Sequence, residues 1–147
     1  MPTSGEPVTY TSAGGVVVNP SGDQILLLIR PERDEIRLPK GHVEPGEDLQ
    51  ETAVREVQEE AGYGDLEVIA DLGKLLVTFL YQGRPVRRTE HYFLMQTKTL
   101  KRLERPESDA RQFFTVWVPW TEATTHLTFE AEREWIERAQ KAWERIS

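Results

Sequence analysis

The stretch REVQEEAG, Arg55 to Gly62, reads as the last two turns of a helix, yet Glu56, Glu59 and Glu60 are all carboxylates. A helix C-terminus carries partial negative charge and favours cations. Upstream, Asp48 is a suitable N-cap with Glu51 three residues on, as in a capping box. The pattern stays helical to Ala61, and Gly62 is its natural stop. At about 100° per residue, Leu49, Ala53, Val54, Val57 and Ala61 fall within an arc of roughly 140°, the predicted buried stripe. Glu60 lies inside one edge of that stripe, Glu56 just beyond it, and Glu59 further round on the same side. A solvated acidic face is one reading, but it predicts lysines interleaved at i+4, and here only Arg55 is in reach, spaced to brace Glu59. A cation site is the other.

The preceding loop, LPKGHVEPGED, bears on that choice. Gly41, Pro45 and Gly46 favour tight turns that let backbone carbonyls face a ligand, and Glu47 adds a carboxylate just before the helix. A cluster of oxygen donors, without cysteine or a repeated histidine spacing, suits Mg²⁺ or Mn²⁺ rather than zinc.

Around this centre the chain reads as one α/β domain over its 147 residues. Met1–Ser12 is polar and reads as a loose lead-in. AGGVVV (Ala13–Val18) and QILLLIR (Gln24–Arg30) read as strands about a turn, and RPERDEIR as a charged loop. DLEVIADLG and KLLVTFLYQGRPVRRTEHYFLMQTKTL are β-rich, with a hairpin turn expected at Gln82–Gly83. RLERPESDARQ reads as a polar loop and FFTVWVPW as a strand. A C-terminal helix over residues 129–146 carries Trp135, Ile136, Ala139, Ala142, Trp143 and Ile146 on one face, a packing stripe. Its acids come first and Lys141 and Arg145 last, the order the dipole prefers.

Composition narrows the function classes. No apolar run approaches the roughly 18 residues of a membrane span, and the N-terminus lacks the basic start and apolar core of a secretory signal. With no cysteine, disulfides and zinc–thiolate sites are excluded, which fits a cytoplasmic protein. A net charge of −7 argues against general nucleic-acid binding. A small polyanion remains compatible when metal ions neutralise both sides.

Taken together, Gly41, Glu47, Arg55, Glu56, Glu59, Glu60 and Gly62 hold the spacing of a Nudix box, and the chain resembles the Nudix hydrolases. Agreement at seven such positions by chance is below about one in a million at ordinary residue frequencies. Tyr63 departs from the usual aliphatic residue, at a packing position. The resemblance is firm over Gly41–Tyr63 and looser from Ala13 to Ala123. It implies an α/β/α sandwich around a mixed sheet, and hydrolysis of a nucleoside diphosphate linked to another moiety by attack of water at phosphorus. It also implies Glu56 and Glu60 as metal ligands, Glu59 as ligand or base, the Lys40 carbonyl as a further ligand, and Glu47 as a ligand or supporting carboxylate. Arg55 would hold a glutamate in place. Family members differ in their base; Glu104, Glu107 and Asp109 lie in the loop from which one could come, and each alone also fits solvated surface. His42, His91 and His126 read as structural. Homodimers occur in the family.

For substrate, LPKGH and Tyr81, beyond the box, resemble the diadenosine polyphosphate hydrolases, although Ile36 stands where an aromatic often precedes PKGH. The proline expected of ADP-ribose pyrophosphatases near Tyr81 is missing. Arg30, Lys40, Arg87 and Arg88 are candidate phosphate contacts, with Arg33, Arg37 and Arg84 nearby; charges guarding a hairpin edge would read the same in Arg84–Arg88. The expected small-molecule substrate is therefore a diadenosine polyphosphate, Ap4A to Ap6A. A MutT-like nucleoside triphosphate pyrophosphatase is the alternative, and a regulatory domain that binds nucleotide without cutting it is a third reading.

Overall fold

The computed structural model describes residues 6–146. Strands β1 (Val8–Val18) and β2 (Gln24–Arg30) are followed by a 3-10 turn at Pro31–Arg33 and two short strands, β3 (Glu35–Arg37) and β4 (Lys40–His42). Helix α1 (Leu49–Ala61) leads to a long hairpin, β5 (Leu66–Tyr81) and β6 (Arg84–Thr97). Helix α2 (Glu107–Gln112), β7 (Phe114–Pro119), α3 (Trp120–His126) and α4 (Glu130–Ile146) complete the chain.

One mixed sheet runs β3-β2-β1-β6-β5. β1 and β6 pair in parallel along their length, from Val8 opposite Val86 to Val18 opposite Gln96. β1 and β2 pair only at Val18 and Ile25, then splay apart. The chain fills that wedge: β3 adds to β2, and β4 adds to β1 with Gly14 opposite Lys40. β7 lies along the other edge of β2.

Strand alternation splits the apolar residues between two faces. Ala13, Val17, Leu26, Leu28, Phe93 and Met95 pack under α1, through Ala53, Val57 and Ala61. Val16, Val18, Ile25, Leu27, Tyr92 and Leu94 pack under α3 and α4, through Ala123, Trp135, Ile136 and Ala139. Trp135 stacks on Tyr92 with centroids 4.6 Å apart and donates its indole N–H to Glu90. The result is the α/β/α sandwich expected.

Several elements depart from the sequence reading. β1 starts at Val8, inside the supposed lead-in, because pairing with β6 orders Val8–Thr11 although their side chains are only part-buried or exposed; Met1–Gly5 lie outside the described residues. RPERDEIR and LPKGH contribute β3 and β4: β3 folds straight back on β2 through the 3-10 turn, a short hairpin hidden by its charged residues, whereas β4 pairs with β1, a partner remote in sequence. The polar loop contains α2, and Trp120 opens α3 rather than ending a strand. α4 begins at Glu130, and Ile146, assigned to its packing stripe, is 57% exposed, the fully buried part of the stripe ending at Ala139.

Candidate active site at the C-terminal half of α1

Asp48 caps α1 as expected, its carboxylate accepting the Glu51 N–H at 2.8 Å. Gly62 ends the helix in the left-handed conformation at φ 83°, its N–H donating to the Gln58 carbonyl. The charge conflict at this end is met by two arginines from the segment after β6. Arg102 donates to the Ala61 carbonyl at 2.8 Å, and Arg105 donates to the carbonyls of Glu60 at 3.0 Å and Phe113 at 2.8 Å. They supply the cations that the helix's own last turn lacks. Nothing local in the sequence ties them to α1, and both were missed.

Arg55 gathers the carboxylates. Its Nε donates to Glu47 at 2.7 Å and its Nη2 to the same carboxylate at 3.0 Å. Nη1 reaches Glu56 at 2.9 Å and Glu59 at 3.3 Å, and Nη2 also donates to the His42 carbonyl. The hydrogen bonds from Arg55 draw Glu47 down to about 2.

Glu60 is differently placed, 6% exposed and facing the wedge between β1 and β2. Its carboxylate accepts the Lys40 N–H at 2.9 Å and lies 3.4 Å from Arg37. Burial, reinforced by repulsion from Glu56, pushes it up to about 8 despite those partners. Glu56 is also raised, by burial first and then by Glu59 and Asp109 against the pull of Arg55. Asp109, on α2, is raised by burial and by Glu59. Of the three acids considered in that segment it is the one standing in the field of the α1 glutamates; Glu107 pairs with Arg111 on the surface and Glu104 is exposed.

The absence of a side chain at Gly41 leaves room for the Glu56 carboxyl group, which a Cβ there would displace. The ladder around it also frees its neighbour. Gly15 N–H bonds the Pro39 carbonyl and Val43 N–H bonds the Thr11 carbonyl, so the alternation leaves Lys40 in a non-bonded pair with Gly14, its N–H and carbonyl turned away from β1.

Divalent-ion chemistry fits this donor set in kind. Glu56, Glu59, Glu60 and the Lys40 carbonyl offer hard oxygens, and Glu56 and Glu60, raised by burial first and by their carboxylate neighbours second, are groups whose ionised form a cation would favour. Among the described residues no three acidic or imidazole side chains already converge at metal spacing; Arg55 holds Glu56 and Glu59 on its own fork, and the ion would compete for them.

Beside Glu60, a cleft of about 460 Å³ runs along the α4 face of the hairpin, and Arg37, Lys40, Arg88, Phe79, Tyr81 and Phe129 are among its lining. Tyr81 sits at its mouth, 57% exposed. Arg87 does not join it: neighbouring residues on β6 face opposite ways, and Arg87 lines a separate depression with Thr9, Thr11, Leu76 and Thr89. Arg30 lies on the α1 face against Phe113. A wider groove of about 960 Å³ follows the outer flank of α1, but none of Glu56, Glu59 and Glu60 lines it.

Residues 9–139 match the model of the NUDIX domain. A Mycobacterium tuberculosis protein provisionally named mutator protein MutT4 is 35% identical over 147 residues, 95% of this chain and 58% of its own length. A Bacillus subtilis protein provisionally named 8-oxo-dGTP diphosphatase is 46% identical over 84 residues, 57% of this chain and 52% of its own. The chain thus spans about half the length of these curated relatives. A Caenorhabditis elegans Ap4A hydrolase in a binary complex superposes with a TM-score of 0.69 at 20% identity, covering 90% of this chain and 96% of that one. An Escherichia coli dihydroneopterin triphosphate pyrophosphohydrolase gives 0.71 at 22%, covering 89% and 96%. At those identities the likeness is one of fold.

Proposed function

The chain belongs to the Nudix family, and from that premise we propose that it is a metal-dependent pyrophosphohydrolase cutting a phosphoanhydride bond of a nucleoside polyphosphate. The observation that carries the reading is the placement of Glu56, Glu59 and Glu60 on one flank of α1, with Glu60 bonded to the backbone of Lys40, which lines a cleft together with Arg37 and Arg88. Mg²⁺ or Mn²⁺ held by Glu56, Glu59, Glu60 and the Lys40 carbonyl would neutralise the phosphates and acidify water. Arg55 fixes the rotamers of Glu47, Glu56 and Glu59, and the Lys40 N–H fixes Glu60. In this reading water attacks phosphorus, the bond to the bridging oxygen breaks, and the departing phosphate takes up the charge; we assign the proton to Glu59 or to Asp109, which stands in the field of Glu59. The cleft beyond Lys40 takes the nucleoside end, with Tyr81 and Phe79 offering aromatic surface.

Diadenosine polyphosphates from Ap4A to Ap6A are the substrates we favour, on the LPKGH segment and the position of Tyr81 in the cleft. The relatives provisionally named for mutator and 8-oxo-dGTP activity favour a MutT-like triphosphate pyrophosphatase as the second reading. A cytoplasmic setting belongs to the same proposal and rests on the cysteine-free composition. A panel of Ap4A, Ap6A, ADP-ribose, 8-oxo-dGTP and common nucleoside triphosphates, assayed with Mg²⁺ or Mn²⁺ and resolved by ion exchange, tests the proposal. Cleavage of Ap4A or Ap6A to products including ATP, lost in Glu60→Gln, is the expected result. Pyrophosphate release from a triphosphate selects the second reading, and turnover that persists in Glu60→Gln removes the proposed site.

A further inference from the structure

We propose that Arg30 and Arg37, laid against the ring of Phe113, form a phosphate clamp beside the α1 glutamates, with Phe113 as the positioning residue. This deepens the hydrolase reading and rests on it. Phe113 follows α2 and is 3% exposed. The guanidinium carbons of Arg30 and Arg37 lie 5.5 and 5.2 Å from its ring centroid, inside the reach of about 6 Å over which a ring quadrupole attracts a cation. Strand register explains the pairing: Arg37 stands opposite Leu28, and Arg30 is two residues beyond Leu28 on the same strand. Both therefore leave the face that Leu26 and Leu28 bury against α1.

Both arginines are half-buried, and their charge is little neutralised. Arg37 has a single carboxylate contact, the 3.4 Å approach to Glu60. Arg30 makes no ion pair among the described residues, and the Nε of each is buried without a hydrogen-bond partner. Leaving such groups unpaired is costly, and a ring face cannot accept their in-plane N–H groups. An anion presenting several oxygens can accept from the Nη groups, and a phosphate matches the planar fork, the nearby carboxylates being engaged by Arg55 and the Lys40 N–H. Phe113 holds the two planes; their Nε atoms are closed to solvent, so it is the Nη ends that an anion would engage. Because Arg37 also touches Glu60, the clamp lies next to the reacting phosphates.

The test uses wild type, Arg30→Lys, Arg30→Gln, Phe113→Leu and the Phe113→Leu/Arg30→Gln double variant. Binding of inorganic tripolyphosphate is measured by calorimetry with Mg²⁺, alongside kcat and KM on whichever nucleotide wild type cleaves and a thermal melt for each protein. Arg30→Lys keeps the charge but loses the fork, and its tripolyphosphate affinity is expected to fall about tenfold. Phe113→Leu is expected to do the same, raising KM more than it lowers kcat. The double variant loses less than the sum of the two, because the ring acts partly through Arg30. Unchanged tripolyphosphate affinity in a folded Arg30→Gln protein overturns the clamp. Strict additivity in the double variant overturns the positioning role of Phe113. Arg30-dependent tripolyphosphate binding without turnover of any nucleotide keeps the clamp and removes the hydrolase reading instead.

Discussion

Gly41 and Arg55 solve one problem from two sides. Seven carboxylates lie between Glu44 and Glu60 along the helix and its leading loop, and Arg55 reaches four of them: Glu44, Glu47, Glu56 and Glu59. Glu56 can fold back into that arrangement because residue 41 has no side chain to block it. Gly41→Ala should therefore displace the Glu56 carboxylate while leaving the fold intact. With Glu56 as the proposed metal ligand, displacing it by about 1 Å is expected to cost about 100-fold in kcat, with a change in unfolding free energy of less than about 1 kcal/mol. A Gly41→Ala enzyme with wild-type turnover would show that Glu56 does not need this position. Tyr63 is the site's one departure from the usual box, and packing explains it: its ring meets Trp117 edge-on, its hydroxyl accepts the Trp117 indole N–H at 3.2 Å, and Arg102 lies over its face.

At the scale of elements, α1 depends on a segment it does not touch in sequence. Arg102 and Arg105 cap its last carbonyls, and Leu103 N–H bonds the Gly62 carbonyl. Arg105→Ala removes two hydrogen bonds to buried carbonyls and is expected to destabilise the protein by about 1–2 kcal/mol in urea or thermal unfolding. Gly62→Ala should cost about 1 kcal/mol, because a side chain is strained at φ 83°. The new Cβ would also press on Arg105 and the Leu103 carbonyl. An additive double variant would show the cap and the turn to be independent; the contact between them predicts coupling.

At the scale of the molecule, the sheet's wedge decides where charge is buried. Glu60 faces it from the α1 side, while Glu132, on α4, accepts the Leu38 N–H at 2.9 Å from the other side. Burial raises both carboxyls above the ordinary glutamate value of 4.5, Glu60 to about 8. A carboxyl with a raised folded pKa binds its proton more tightly in the folded state. Its stabilising contribution is present at low pH and is lost as pH climbs from 4.5 through the folded value. The metal-free protein should accordingly melt at falling temperature between about pH 5 and pH 8 in chelator. Glu132→Gln, which keeps an acceptor for Leu38, should make that decline shallower; an unaltered slope would mean Glu132 stays ionised throughout.

What the sequence determined by itself was local: the α1 boundaries, its caps, its buried stripe, the hairpin turn at Gln82–Gly83 and the Nudix spacing all depend on residues a few positions apart. What it left open depended on partners far along the chain. Whether Arg88 or Arg87 faces the cleft, which acid after β6 stands near Glu59, and which cations cap α1 were decided by the splayed sheet and the return of residues 102–113 over the helix. Periodicity and capping are read through neighbouring dihedrals, whereas burial of charge depends on which surfaces meet. Only the folded chain brings those surfaces together.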